Sequence, residues 1–259
     1  MPTETGILWR VATARMPTKW GMFHAIGFER EFANVMQRVE TALAIVMGDL
    51  MQSSPLLRMH SQCFTGEALG SLRCDCADQL NMAMQAIAKE GRGLTIYEYQ
   101  EGRGIGLMAK MQTYELQDAG IDTVEANHAL GFKADCRDFS LSAAILRDLG
   151  VTRVRLLTNN PSKSDALSAA GIEVVARIPC EPSPNPYSLA YLRAKKERMG
   201  HALSLGQHDS TDQGRDSRMV ASLKLEQGGM ASEMFDRHCS DNNLSVDATW
   251  RTYGIDVQL

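Results

Sequence analysis

Three thiols crowded into fourteen residues constrain this chain more than any other feature. The stretch RMHSQCFTGEALGSLRCDCADQL, residues 58–80, carries Cys63, Cys74 and Cys76 beside a histidine and two arginines. Cys74 and Cys76 are two apart, and in extended backbone such side chains face the same way. Cys63 lies eleven residues earlier, across a turn at Thr65 and Gly66. The spacing therefore predicts three thiolates converging on one tetrahedral cation, with ligand softness favouring Zn2+. Three protein ligands leave one position for water, as in catalytic zinc sites, where bound water reaches a pKa of about 7. Two other readings stand beside this one. A structural zinc would draw a fourth ligand from Cys136, Cys180 or a histidine, and three separately buried thiols would bind nothing.

Metal chemistry needs reduced thiols. The N-terminal run MPTETGILWRVATARMP has no apolar core of signal-peptide length. No stretch approaches the roughly 20 apolar residues that span a bilayer. The expected address is the cytoplasm, where clustered cysteines point to metal or catalysis rather than disulfides. The 259 residues suffice for one large domain or two modest ones, and 44% hydrophobic with 22% charged residues is a globular composition. A net charge of -4 provides no broad basic field for nucleic acid or an anionic membrane. A local phosphate pocket is compatible with it.

The pattern along the chain predicts a mixed α/β fold. Residues 7–29 read as two β-rich runs around a Pro-Thr-Lys-Trp-Gly turn, and residues 31–47 as either helix or strand. A helix is expected over 77–91 with Gly91 as its stop, a strand over 92–100, a glycine-rich turn over 101–106 and a helix over 107–119. Another helix follows over 141–150, a strand running into a turn over 151–163, a helix over 164–171, a strand over 172–179 and a closing basic helix over 185–201. Such alternation argues a mixed β-sheet with flanking helices whose loops carry the chemistry. Residues 1–202 are expected to form the catalytic domain. From 203 to 259 the texture turns polar, and the expectation is a linker and a C-terminal extension.

Residues 58–80 closely resemble the metal segment of the GTP cyclohydrolase II family. The resemblance continues through 100–107 (QEGRGIGL), 113–132 (TYELQDAGIDTVEANHALGF), 134–139 (ADCRDF), 155–163 (RLLTNNPSK) and 199–201 (MGH), in the family's order. It implies hydrolysis of GTP to formate, pyrophosphate and 2,5-diamino-6-(5-phosphoribosylamino)pyrimidin-4-one, the first step of riboflavin synthesis. It implies zinc on Cys63, Cys74 and Cys76, with GTP bound by Arg58, Met59, His60, Ser61, Gln62, Gln79, Glu101, Gly102, Arg103, Thr123, Thr158 and Lys163. Asp135 takes the place of the family's proton acceptor, Arg137 that of its nucleophile toward the α-phosphate, and Tyr114 that of a tyrosine near the scissile ring. Guanidinium is protonated in nearly every protein context, so stabilisation of phosphate charge is the simpler role for Arg137. Glu101 is expected to read guanine by accepting from N1–H and the 2-amino group. Mg2+ accompanying the triphosphate and a homodimer are further implications of the resemblance.

Two positions depart from the family pattern. Gln62 stands where a glutamate usually precedes the first cysteine, and Tyr99 where an arginine usually precedes Gln-Glu-Gly-Arg. They leave open a relative that stops at the formamidopyrimidine or takes another purine nucleotide. A non-catalytic nucleotide-binding module with structural zinc is the third reading. His128, His201, Cys136, Cys180 and Cys239 read as structural residues.

Overall fold

The computed structural model describes residues 6–32 and 39–204. The stretch 33–38 within the ambiguous 31–47 segment, Cys239 and nearly all of the expected extension lie outside the described residues. A single seven-stranded sheet organises the chain, in the order β1-β2-β3-β5-β4-β6-β7. Strands β1 (Ile7–Thr18) and β2 (Gly21–Glu31) form the expected hairpin. Strand β3 (Val39–Met47) continues it antiparallel and resolves the helix-or-strand ambiguity for those residues. Strand β5 (Gly93–Glu98) pairs antiparallel with β3 on one side and parallel with β4 (Leu56–Ser61) on the other. Strands β6 (Arg153–Leu157) and β7 (Glu173–Ile178) complete the parallel half.

Alternation along the strands builds two cores. Leu57, Met59, Ile96 and Leu156 face one side, with Ile145 and Leu146 of α5 (Ser140–Asp148) and Leu167 of α6 (Pro161–Ala169). Leu56 and Leu157, one residue out of phase, face the other, with Ala83, Met84 and Ile87 of α2 (Cys76–Glu90). Helix α2 ends as its sequence suggests, with Gly91 left-handed at φ 72. Helix α6 begins three residues before the expected start. Asn160 caps it by accepting from the Ser162 amide at 3.0 Å, and Pro161 fits a first turn that needs no donor. Helix α3 (Leu107–Asp118) follows the glycine turn, and α7 (Leu189–Met199) closes the described fold. Three elements escaped the pattern: β4, the single turn α1 (Phe64–Glu67) and α4 (Thr123–Ala129).

Topology fixes where chemistry can sit. The chain leaves β4 through α1 and α2 toward β5, but leaves β6 through α6 in the opposite direction, toward β7. Connections that diverge from neighbouring parallel strands open a crevice beyond their C-terminal ends. The segments that follow β4, β5 and β6 are residues 62–63, 99–106 and 158–163, which hold Gln62, Cys63, Glu101, Gly102, Arg103, Thr158 and Lys163 of the expected site.

Candidate active site

A cleft open to solvent lies at those strand ends. Its two ends differ in chemistry.

At one end stand the thiols. The Sγ atoms of Cys63, Cys74 and Cys76 lie within 4.8 Å of one another, and Cys63 is 3.5 Å from Cys74. Tetrahedral Zn–S bonds of about 2.3 Å need sulfurs roughly 3.8 Å apart, so the donor set fits the cation. Gly66 makes room for it: a Cβ there would stand 3.0 Å from the Cys74 sulfur and 3.2 Å from that of Cys63. The local backbone is not the expected extended one. Asp75 ends a turn and Cys76 opens α2, so helix initiation, rather than strand alternation, brings the two thiols together. Among the described residues no further His, Cys, Asp or Glu joins the group. Cys180 packs instead against the Gln79 carbonyl, 3.5 Å away.

Lys110, on α3, reaches this end from below the glycine turn. Its Nζ donates to Cys63 Sγ at 3.2 Å, Thr65 Oγ1 at 2.8 Å and Glu101 Oε1 at 2.8 Å, which uses all three ammonium protons. Burial opposes its charge, but the Cys63 thiolate and Glu101 outweigh burial and hold its pKa above the ordinary value. Hydrogen bonds from Cys74 and Cys76 pull the Cys63 thiol far down, while the bond to Cys63 pushes Cys74 up to about 11. Tyr114 Oη lies 3.3 Å from Thr65 Oγ1, and burial raises its pKa, so it keeps its proton at neutral pH.

Glu101 is more heavily committed than a free guanine reader would be. Oε1 accepts from Lys110 and from the Gly102 amide, and Oε2 accepts from the Phe64 amide at 2.6 Å. A carboxylate has about four lone-pair sites. One is left, room for a single further donor rather than the expected pair. The next residues, Gly102 and Arg103, are both left-handed, at φ 62 and 63. For arginine that conformation is strained, and such strain gathers at functional sites.

The other end is cationic. Arg58, midway along β4, donates to the Leu157 carbonyl and to Gln79 Oε1. Lys163, in the first turn of α6, donates to the Met59 carbonyl at 2.8 Å. Burial and the charges of Arg58 and Arg137 push its pKa well down. Arg137 grips both oxygens of Asp135, and its Nη1 lies 3.5 Å from Ser61 Oγ. Burial works against the Asp135 carboxylate, but the bonds and charge of Arg137 hold its pKa below the usual range. His60 donates from Nε2 to Glu67 Oε1 at 2.8 Å, and burial lowers its pKa to about 4. Its Nδ1, the Arg58 Nε and the Arg103 Nη2 are buried without a partner.

Most of the expected site residues line this one cleft: Arg58, His60, Ser61, Gln62, Gln79, Glu101, Gly102, Arg103, Tyr114, Thr123, Arg137, Thr158 and Lys163, with the three cysteines. Met59 does not; its side chain is buried in the core and only its carbonyl faces the site. Asp135 reaches the cleft through Arg137. Of the two departures, Gln62 lines the cleft and Tyr99 does not; the Tyr99 ring meets Tyr97 edge-on at 5.8 Å. The sequence reading missed Lys110, Tyr191 and Lys195, and took His201 as structural although it too lines the cleft. Lys110 was within reach, because it lies four residues before Tyr114 and so shares its helix face.

Fold and site together define an α/β protein with a thiolate group able to hold a metal ion beside a pocket of buried cations. Sequence comparison makes the class specific. Residues 9–179 match the sequence model of GTP cyclohydrolase II. The GTP cyclohydrolase-2 of Shigella boydii serotype 18 is 53% identical over 198 residues, covering 76% of this chain and 98% of that protein. The protein of the same description from Escherichia coli O9:H4 shows the same identity and coverage. The chain belongs to the GTP cyclohydrolase II family and is an enzyme of that kind. A solved two-domain 3,4-dihydroxy-2-butanone 4-phosphate synthase from A. baumannii overlaps 68% of this chain and 40% of its own length, at a TM-score of 0.40 and 20% identity. So distant a likeness supports no functional inference. Among the described residues no helix is long and apolar enough to cross a membrane.

Proposed function

We propose that the cleft binds GTP with Mg2+ and converts it to formate, pyrophosphate and 2,5-diamino-6-(5-phosphoribosylamino)pyrimidin-4-one, the first step of riboflavin synthesis. The observation that carries this reading is the pairing, in one cleft, of a three-thiol group with a surplus of buried cations. Cys63, Cys74 and Cys76 would hold Zn2+. When bound there, the cation supplies Lewis acidity that activates water at neutral pH for attack on the purine C8.

The chain's own groups supply the rest. Arg58, Arg103, Arg137 and Lys163 offer charge and donors to the triphosphate, and the unpartnered donors on Arg58 and Arg103 are two that a phosphate oxygen satisfies. Arg137 stays protonated against Asp135, so it stabilises charge at the α-phosphate rather than attacking it. Asp135, ionised at neutral pH, is the proton acceptor. Tyr114 holds its proton beside the thiols and donates it in the second hydrolysis, which releases formate. Glu101 takes one guanine donor on its remaining lone pair. The catalytic unit spans residues 1–202. A homodimer is supported by β1, an edge strand that exposes Ile7, Trp9 and Val11.

Zinc-loaded protein incubated with GTP and Mg2+ should release formate and pyrophosphate in equal amounts, with the diaminopyrimidine identified by mass spectrometry. A formamide product without formate, or unchanged GTP, would overturn the assignment.

A further inference from the structure

The proposed chemistry leaves one buried ion pair unused. Lys195 stands on α7. Its Nζ donates to Asp75 Oδ1 at 2.8 Å, and both side chains are less than a tenth exposed. Asp75 lies between Cys74 and Cys76 and occupies the N-cap position of α2. An aspartate there ordinarily accepts from the first amides of its helix. This one caps nothing. Its Oδ1 is taken by Lys195, and its Oδ2 accepts from Gln79 Nε2 at 2.6 Å. Gln79 in turn accepts from Arg58 Nη2 at 2.7 Å through its Oε1. The Tyr191 ring, with its centroid 4.3 Å from the Lys195 Nζ, packs on the same ammonium.

A carboxylate withdrawn from its local cap and tied to a lysine 120 positions away fixes the backbone between two thiols. We propose that Lys195 is a positioning residue for the metal centre. By holding Asp75 it sets the turn that presents Cys74 and Cys76, and through Gln79 it links that turn to Arg58 at the anion end. The inference rests on the reading of the three thiols as a zinc site. It adds to that reading a dependence on α7, a helix far along the chain from the thiols.

Two readouts other than turnover test it: absorption of the Co2+-loaded protein, where thiolate coordination gives a charge-transfer band, and Zn2+ affinity measured by chelator competition. A wild-type protein without the band would overturn the zinc reading itself and the inference with it. Given the band, Lys195→Met should weaken Zn2+ binding about 10–100-fold, the usual cost of losing a group that orients a ligand, and should alter the Co2+ spectrum. Lys195→Arg should recover most of the loss. Because Lys195→Met alone strands a buried carboxylate and risks unfolding, the double variant Lys195→Met/Asp75→Asn is the control. It should fold, and it should bind Zn2+ no worse than either single variant, since all act on one contact. Wild-type Zn2+ affinity and spectrum in the folded double variant would overturn the inference. So would a Lys195→Met protein whose only defect is a raised KM for GTP, which would make Lys195 an anion ligand.

Discussion

The two ends of the cleft keep their charges in different ways. At the thiol end Lys110 spends each ammonium proton on a neighbour, and Glu101 and Thr65 are tied into the same knot. Charge there is balanced by the chain itself. At the other end Arg58 and Lys163 repel one another, His60 and His201 are held neutral, and donors on Arg58 and Arg103 have no partner. Like charges buried together cost stability, and a protein keeps them where function needs them. The first end is arranged to be stable as it stands. The second is arranged for a polyanion that will complete it. A variant should therefore lose stability and activity together at the thiol end, but trade one for the other at the cationic end.

The largest effect is expected from Cys74→Ser. If the thiols hold the catalytic cation, turnover should fall on the order of 1,000-fold or more, measured as formate released per metal-loaded chain. A variant that melts early yet turns over normally when folded would leave zinc only a structural role. Next comes Lys110→Met, which leaves Glu101 buried without its cation. Breaking a buried pair from one side costs about 3–5 kcal/mol, so urea denaturation should show a large loss of stability. Much of the loss should return in Lys110→Met/Glu101→Gln. A wild-type midpoint for the single variant would dissolve the contrast between the two ends.

Lys163→Met probes the opposite end and should behave in the opposite sense. Losing a hydrogen bond to a charged group costs about 1.5–3 kcal/mol, which raises the KM for GTP roughly 10- to 150-fold. The same change relieves repulsion with Arg58 and Arg137, so the melting temperature should hold or rise. Parallel loss of stability and affinity would show that Lys163 supports the fold rather than the ligand.

What the sequence made legible follows from how local each cause is. The β1–β2 hairpin announced itself through its turn, and α2 through its periodicity and Gly91. Strand β4 did not, because its residues LLRMHS break the apolar pattern that identifies a buried strand. Leu57 and Met59 go to one core, while Arg58 and His60 turn to the cleft. Function overrode patterning there, as it commonly does at sites. The thiol group was visible as spacing, but its geometry was misjudged, since Asp75 starts a helix where an extended segment was expected. Lys195 and His201 acquire meaning only once the chain folds α7 and the residues after it back over the strand ends, a long-range fact that no local pattern holds.

The smallest expected effect is a shallow pH dependence of stability, and its shallowness comes from opposed titrations. His60, held at about 4 by burial and by the charges of Arg58 and Lys163, binds fewer protons when folded than when unfolded. So does His201, held at about 3. Their contribution is complete above about pH 6.5 and is lost as pH falls toward those values. Glu98 runs the other way. Burial raises its pKa to about 7 although Ser142 donates to it twice, from its amide and its hydroxyl. The folded state therefore keeps a proton there that the unfolded chain releases above pH 4.5, and stability is lost as pH rises from 4.5 to 7. Between 4.5 and 6.5 the two slopes oppose each other, and below 4.5 the histidines prevail. Glu98→Gln should remove the opposing slope, so thermal melts recorded from pH 7 down to 4.5 should show a steeper acid-side loss than the wild type. If the variant and the wild type melt in parallel across that range, Glu98 is ionised in the folded protein, and its neighbour Lys163 is then less alone among like charges than the contrast between the two ends requires.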